Sequence, residues 1–241
     1  MSDQFNSPYT RSEAEVDVGL RAFMRRMFVQ MGAGVAFSGL VVYFMMQWIG
    51  ANPEAYMAIR SSGLIWVIML SPLAIYLIAN FGFQRLSHAA LQACFWSFAG
   101  LMAVSFSMIY TNYLGDTNTI ANAFFGAAAA FLGAALYGYT TNRDLTSIGG
   151  LLIMALIGII LVSILNVFVM QSSGLDLLIS IGIVLIFTAF TAYDTQNMKM
   201  LYLQHGDSMM TQKLAVLGAL LLYYNFVIIF KYLLILFSGR D

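Results

Sequence analysis

Charged residues are scarce in this sequence. Only 9% of its 241 residues are charged and 61% are hydrophobic, whereas soluble domains carry roughly 25% charged residues. A soluble fold of this length could not bury so much apolar surface. The scarcity of charge therefore excludes a soluble globular protein and indicates a chain that crosses a membrane several times.

Cysteine and histidine are nearly absent. The single cysteine, Cys94, lies in an apolar run, which excludes an intrachain disulfide and a cysteine-based metal cluster. The two histidines lie outside the apolar runs, so a histidine-rich metal site within them is excluded. No H-E-x-x-H, glycine-rich phosphate loop or G-x-S-x-G motif occurs. We therefore expect no catalytic residue, no metal site and no cofactor.

The formal net charge is zero, so nothing indicates a nucleic-acid partner or an acidic one. The partner that this composition implies is the lipid bilayer. The first 26 residues are polar and mixed in charge, and we interpret residues 1–26 as a polar cytoplasmic arm. The apolar run that follows is too long for the core of a signal peptide.

Seven apolar runs reach the length of about 20 residues that a membrane-spanning helix needs. We therefore predict an all-α membrane protein with a seven-helix domain over residues 27–238 and a short tail, 239–241. Pro72 falls inside the second run and is expected to kink its helix. The runs lie at about 28–49, 62–81, 89–110, 119–138, 149–170, 175–195 and 214–237.

Lysine and arginine are distributed unevenly between the loops. With the N-terminus inside, eight of them face the cytoplasm, while Arg60 and Arg240 face the opposite side. Because positive charge concentrates in cytoplasmic loops, we place the N-terminus in the cytoplasm and the C-terminal tail outside. The external loops hold Glu54, Asp116 and Asp176, which form a mildly acidic face.

Two ionisable residues fall inside the apolar runs. Asp194 lies near the cytoplasmic end of the sixth run, and Lys231 lies in the outer half of the seventh. A charge at such a position costs a few kcal/mol and marks a candidate functional site. Asn225, in the seventh run, needs a hydrogen-bonding partner, and Asp194 is the nearest one. Two alternatives remain open: Asp194 only caps its helix, and Lys231 snorkels to the outer interface.

Three further polar residues are candidates: Asn166 and Tyr224 are secondary ones, as is Lys231, whereas Arg85 is grouped with Asp194 and Asn225. Asn166 lies in the fifth run, and Tyr224 directly precedes Asn225. Arg85 stands at the cytoplasmic junction of the second and third runs. It could face the cytoplasmic end of the sixth run, but a charge that only sets the topology explains it equally well.

The segments FTAYDTQNMK (190–199) and LGALLLYYNFVIIFKYLLILF (217–237) resemble the Bax inhibitor family, also called the transmembrane Bax inhibitor motif family. The sixth helix of that family ends in a Y/F-D-T-Q-like motif, and its seventh reads like L-Y-L-D-F-I-N-L-F. LYGYTTNRDLTSIGGLLIMALIGIILVSILNVF and LRAFMRRMF match it as well. These segments cover most of the chain from about residue 20 and are most similar to the bacterial inner-membrane branch.

The resemblance implies a multi-pass protein of the bacterial inner membrane with the C-terminal helix at the centre of the other six. It also implies a pH-sensitive calcium leak channel. In that family an aspartate pair from helices six and seven lies near the cytoplasmic seal, with an arginine from helix two close by. Asp194 matches the first aspartate, Arg85 the arginine, and Asn166 an asparagine common in the fifth helix.

This sequence departs from the family pattern at the second aspartate, which is Asn225, and at Lys231, which replaces an apolar residue. Two close carboxylates share a proton and can sense pH near neutrality, whereas an Asp–Asn pair has one titrating group. One carboxylate is also a poorer calcium site, because calcium takes about six to eight oxygen ligands.

These features lead to two expectations for function. The first is a pH-modulated calcium or cation leak channel that binds calcium only transiently and responds weakly to pH. The alternative is a non-conducting membrane scaffold or modulator that binds another inner-membrane complex, such as a quality-control protease. A proton-coupled transporter is a weaker third option, because neither sequence repeats nor paired discontinuous helices are visible.

Overall fold

Helices make up nearly all of the chain that the structure describes. The computed structural model describes residues 13–109, 111, 116–206 and 208–238. Within these ranges it contains eight α-helices, one π-helical turn and no strand. In chain order they are α1 (Glu13–Ala51), α2 (Pro53–Ser61), α3 (Leu64–Gly82), α4 (His88–Ile109), α5 (Thr117–Thr140), α6 (Thr146–Leu165), the π turn (Asn166–Met170), α7 (Ser173–His205) and α8 (Met209–Phe237).

Seven of the described helices are long and apolar enough to span a bilayer. Mean hydropathy over their most apolar windows ranges from 1.5 to 2.9, and they coincide with the seven predicted runs. The prediction of an all-α membrane protein with seven spanning helices is therefore confirmed. The direction in which the chain crosses the membrane stays a prediction, and the tail 239–241 lies outside the described residues.

Two helices extend well beyond the apolar runs. The described part of the predicted arm is helical, because α1 begins at Glu13 and continues into the first span. The predicted loop at 196–213 is mostly helix too, because α7 continues to His205. The extensions pack on each other, with the rings of Phe23 and Tyr202 stacked at 5.2 Å. A hydropathy profile identifies only the part of a helix that lies within the lipid. Packing against a neighbouring helix can stabilise further turns outside the lipid, and these turns are not apolar enough to appear in the profile.

The connection between the first two spans is a short helix, α2, and the prediction of a loop there was wrong. Pro53 occupies its first turn, where a missing N–H does no harm. Glu54 lies in the first turn and Arg60 in the last, so both charges complement the helix dipole. Tyr56 is buried against α4 and donates to the carbonyl of Met108 at 3.3 Å.

The last helix, α8, packs against α7, α5, α1 and α4. It has the largest buried share of the seven spans, 44% of its most apolar window. Gly206, with φ 62°, ends α7, and Ser208 caps α8 by accepting the backbone N–H of Thr211 at 3.3 Å. This short turn lays α7 and α8 side by side in opposite directions. That α8 lies at the centre of the other six stays a prediction.

A proline in α3 is compensated by a serine in α4. Pro72 cannot donate to the carbonyl of Ile68 one turn earlier. The hydroxyl of Ser105 donates to that carbonyl at 2.7 Å, and Ser71 donates to it at 2.9 Å. In a membrane a freed carbonyl needs such a partner. The pairing joins α3 to α4 at Ile68, about two helical turns before Tyr76.

Candidate functional site

Asp194 on α7 and Asn225 on α8 meet at the contact between these helices. The Nδ2 atom of Asn225 donates a hydrogen bond to Oδ2 of Asp194 at 2.7 Å. The Asn225 side chain is 4% exposed, while Asp194 is half-buried. The structure thus brings together the two residues whose pairing the sequence predicted, and each satisfies a polar group of the other.

An aromatic cluster surrounds this hydrogen bond. Tyr224 precedes Asn225 on α8, and its ring lies 5.5 Å from that of Tyr76 on α3 and 5.7 Å from that of Phe187 on α7. Phe98 on α4 packs against both tyrosines at 6.2 Å. Tyr76 lies within electrostatic range of the Asp194 carboxylate. The secondary candidate Tyr224 is thus packed in an aromatic cluster directly beside Asn225, and a functional role for it stays a prediction.

Arg85 does not join the site in this structure. It follows the end of α3, its side chain is exposed, and no ion pair links it to Asp194 among the described residues. Its backbone N–H donates to Gly82 at 2.9 Å and closes the last turn of the helix. The arrangement fits the alternative in which this arginine sets the topology. A functional role for Arg85 stays a prediction.

The other secondary candidates lie away from the Asp194–Asn225 contact. Asn166 follows α6 and links the π turn to α7: its amide donates to Asp176 at 2.8 Å and to the carbonyl of Ser172 at 3.2 Å. Lys231 on α8 places its ammonium 4.6 Å from the centre of the Tyr232 ring. Asn166 therefore organises the turn into α7.

The remaining residues of the Y-D-T-Q motif have distinct structural roles. The ring of Tyr193 lies against Gly149 of α6, where a Cβ atom would approach it to 2.6 Å. Thr195 is fully buried and donates to the carbonyl of Thr191 at 2.7 Å. Gln196 bridges the α5–α6 connection, as described below. The motif thus combines one pairing carboxylate with three residues that fix the surroundings of α7.

Gln196 joins α7 to the α5–α6 connection, and Lys199 joins α7 to the end of α5; neither contact was predictable from the sequence pattern. The Gln196 amide donates to the carbonyl of Arg143 and its oxygen accepts from the N–H of Leu145, both at 2.8 Å. The Lys199 ammonium donates to the carbonyl of Tyr139 at 2.8 Å. Position within the motif is the only sequence signal for Gln196, and Lys199 is one of the eight basic residues that the charge distribution assigns to the cytoplasmic side.

Outside the spans, two aspartates accept backbone N–H groups where helices begin: Asp116 is the N-cap of α5, and Asp144 precedes Leu145, the N-cap of α6. The hydroxyl of Thr119 and the backbone N–H of Asn118 donate to Asp116 at the start of α5 and hold the pKa of that carboxyl below its ordinary value. The same kind of contact with Thr146 lowers the pKa of Asp144. Both carboxylates therefore stay charged at neutral pH, and each completes a helix start.

The site offers few ligands for a cation. No group of three or more His, Cys, Asp or Glu residues comes together within the described ranges. At the contact itself the oxygen donors are one carboxylate and one amide, whereas resident calcium takes about six to eight oxygens. The donor set fits a passing contact with a cation better than a resident ion.

A family model described as inhibitor of apoptosis-promoting Bax1 matches residues 20–241. The chain belongs to the Bax inhibitor family. Within this family it is 34% identical over 240 residues to a protein of Caulobacter vibrioides, covering 97% of this chain and 94% of the relative. It is 34% identical over 231 residues to protein RP147 of Rickettsia prowazekii, covering 96% and 95%.

The inner membrane protein YbhL of Escherichia coli is a further relative in the family, 32% identical over 237 residues, with 97% of this chain and 98% of YbhL covered. Together with the seven apolar helices, this relative identifies a multi-pass protein of the inner membrane. The family and the location that the sequence predicted are therefore confirmed.

Proposed function

We propose that this protein is a calcium or cation leak channel whose closed state is held by the Asp194–Asn225 hydrogen bond. The observation that carries the proposal is a carboxylate on one spanning helix bound at 2.7 Å by an amide of the next. A charged group inside a span is costly and is retained where it serves transport or pairing. Cations are the species that such a carboxylate attracts.

The hydrogen bond has the right strength for a gate. Separating α7 from α8 at this level must break a bond to a charged acceptor, which contributes about 1.5–3 kcal/mol. A difference of this size leaves an open state populated at about 0.1–10%. Such a population gives a slow leak. The rings of Tyr224 on α8 and Phe187 on α7 also pack on each other, and Tyr76 packs on Tyr224, so separating the two helices would have to part these rings as well.

The proposed leak responds to pH through one group. Protonation of Asp194 replaces a charge-assisted hydrogen bond by a neutral one, which is about half as strong, so acidification favours opening. Because Asn225 does not titrate, at most one proton is taken up per opening at this contact. We expect a shallower pH dependence than two facing carboxylates would give.

Calcium flux into proteoliposomes between pH 5 and pH 8 tests the proposal. Asp194→Ala should raise the flux at neutral pH and remove its pH dependence, because the gate loses its acceptor. Asn225→Asp should make the pH dependence steeper, because it adds a second titrating carboxylate. Asp144→Asn, in an exposed loop, is the matched control and should behave as wild type. Equal, negligible flux in all four proteins at every pH would refute the channel.

A second candidate is a membrane scaffold or modulator that binds another inner-membrane complex. The observation that favours it is the pair of packed helical extensions beyond the spans, joined by Phe23 and Tyr202. On this surface Met200 and Leu203 are 48% and 45% exposed. Affinity purification in mild detergent tests this candidate. A partner that is retained by wild type and lost in Met200→Ser/Leu203→Ser supports it, and recovery of the protein alone counts against it.

A further inference from the structure

A long apolar groove lies between α1 and α5, with α8 as its floor. These two helices lie close to each other at few places in the described chain, and the rings of Phe28 and Phe131 meet edge to face at 6.4 Å. Two adjoining cavities of about 300 and 500 Å³ lie between α1 and α5. They share three lining residues, Val35, Phe124 and Phe226. Ser38 is the most polar residue of the lining, and its hydroxyl is bonded to Tyr223 at 2.7 Å. The groove therefore offers an apolar surface.

One face of α1 forms the side of this groove. Its groove-lining residues recur every three or four positions, which places them on one stripe of the helix. At two of them, Gly32 and Gly39, a Cβ atom would meet nothing within 4 Å, so the glycines widen the groove. The stripe consists of Phe28, Gly32, Val35, Gly39, Val42 and Met46.

The same stripe continues into two arginines. Successive residues of an α-helix are rotated by about 100° around its axis, so Arg25 and Arg21 point within roughly 60° of the direction of the groove-lining residues in the following turns. Both side chains are exposed, and none of the described residues forms an ion pair with them. Arg26 points elsewhere, into a separate cavity lined by Tyr202. On the opposite rim, the Lys199 ammonium lies 5.4 Å from the ring of Tyr139, which lines the groove. Positive charge thus flanks one mouth of the groove.

The size of the groove distinguishes between occupants. A second helix would need a continuous space about 10 Å wide and about 30 Å long, whereas the groove is divided into two cavities that meet at Val35, Phe124 and Phe226. The cavities instead have the size of a small-molecule site, about 300–1,000 Å³. An extended acyl chain matches the shape, and an anionic headgroup matches the charged mouth.

We infer that the groove between α1 and α5 binds an anionic phospholipid, with an acyl chain along Gly32 and Gly39 and the headgroup phosphate at Arg21 and Arg25. The charged mouth lies on the side that the positive-inside rule assigns to the cytoplasm, so the lipid comes from the cytoplasmic leaflet. This inference does not depend on ion conduction.

Native mass spectrometry of the delipidated full-length protein tests the inference. The probes are phosphatidylglycerol and phosphatidylethanolamine with identical acyl chains. We expect phosphatidylglycerol to bind more tightly. Because a basic residue near the headgroups changes binding about fivefold, Arg21→Gln/Arg25→Gln should weaken phosphatidylglycerol by about 25-fold. Arg26→Gln, one residue away on another face, should bind as wild type.

Substitutions that fill the groove distinguish lipid binding inside the groove from attraction of the lipid headgroup to the charged protein surface alone. Gly32→Leu and Gly39→Leu add side chains into open space, so these variants should fold and lose phosphatidylglycerol binding. Gly158→Leu, on the lipid-facing side of α6, has the same open space and is the control. A photoreactive acyl chain should label α1 and α5 in wild type and in Gly158→Leu, and should fail to label them in Gly32→Leu and Gly39→Leu.

Unchanged binding in the glycine variants would overturn the inference, because only surface charge would then attract the lipid. Equal binding of the two lipids by wild type would also overturn it. A change of oligomeric state in Gly39→Leu without a change in lipid binding would assign the groove to a second copy of the chain instead. A melting temperature measured for each variant identifies any that fails to fold, and photolabelling of wild type then decides.

Discussion

Replacing Asn225 by leucine removes the donor to Asp194 and keeps the number and branching of the side-chain heavy atoms. The carboxylate then loses the amide that lies 2.7 Å from its Oδ2 atom. A hydrogen bond to a charged group contributes about 1.5–3 kcal/mol to the free energy of unfolding. Because Asp194 is only half-buried, we expect the lower end, about 1.5 kcal/mol, which is roughly a tenfold change in the unfolding equilibrium.

The complementary variants turn this estimate into a double-mutant cycle. Asp194→Leu leaves the Asn225 amide, 4% exposed, without its acceptor and should cost about 1–3 kcal/mol. The double variant should be close to wild type, because replacing both partners by apolar groups is nearly neutral. The cycle should therefore give a coupling energy of about 2.5–4.5 kcal/mol between the two positions.

Denaturation by sodium dodecyl sulfate in mixed micelles, followed by the fluorescence of the three tryptophans, measures these free energies. Asn122→Leu, at an exposed position on α5, is the control and should be additive with Asp194→Leu. Additive effects of Asn225→Leu and Asp194→Leu would refute the reasoning, because the contact would then not hold α7 to α8.

Three other predictions concern how the helices are held. Gly138→Ala should lower the unfolding free energy by about 1–3 kcal/mol, because its Cβ atom would lie 2.1 Å from a backbone oxygen of α7; Gly133→Ala, in open space on the same helix, should not. Gln196→Leu should speed hydrogen exchange in the α5–α6 connection, because the buried N–H at 145 loses its acceptor. Asp116→Ala should lower the melting temperature at pH 7, and the difference should fade below about pH 4, because the charged cap is lost as pH falls through the lowered pKa of wild type.

Hydropathy predicted the membrane fold because lipid contact demands long apolar runs, and this demand does not depend on how the helices pack. It could not predict the ends of α1 and α7, which are polar and are held by contacts such as Phe23 on Tyr202. The short helix α2 carried recognisable signals, with Pro53 and Glu54 in its first turn and Arg60 in its last. Because α2 contains few apolar residues, a hydropathy profile that identifies membrane-spanning runs does not identify it as a helix.

The residues of the site that could be predicted are the polar side chains that stand within apolar runs. Asp194 and Asn225 stand in apolar runs, and each needs a partner that only another helix can supply. Tyr76 could not be found this way, because a tyrosine in an apolar run is ordinary. Arg85 was placed by its match to the family, but the end of a span does not fix the direction of a long side chain. The structure leaves that side chain exposed.

The proposed gate and the proposed lipid-binding groove both involve residues of α8. Asn225 and Phe226 are consecutive, about 100° apart on the helix; one binds Asp194 on α7, and the other lines the groove. A lipid that favours one position of α8 therefore biases the Asp194 contact, and the coupling must be reciprocal. Asn225→Leu should then change the affinity for phosphatidylglycerol although residue 225 lies outside the groove. Unchanged affinity in native mass spectrometry would show that the two faces of α8 act independently, and the lipid would then have no part in gating.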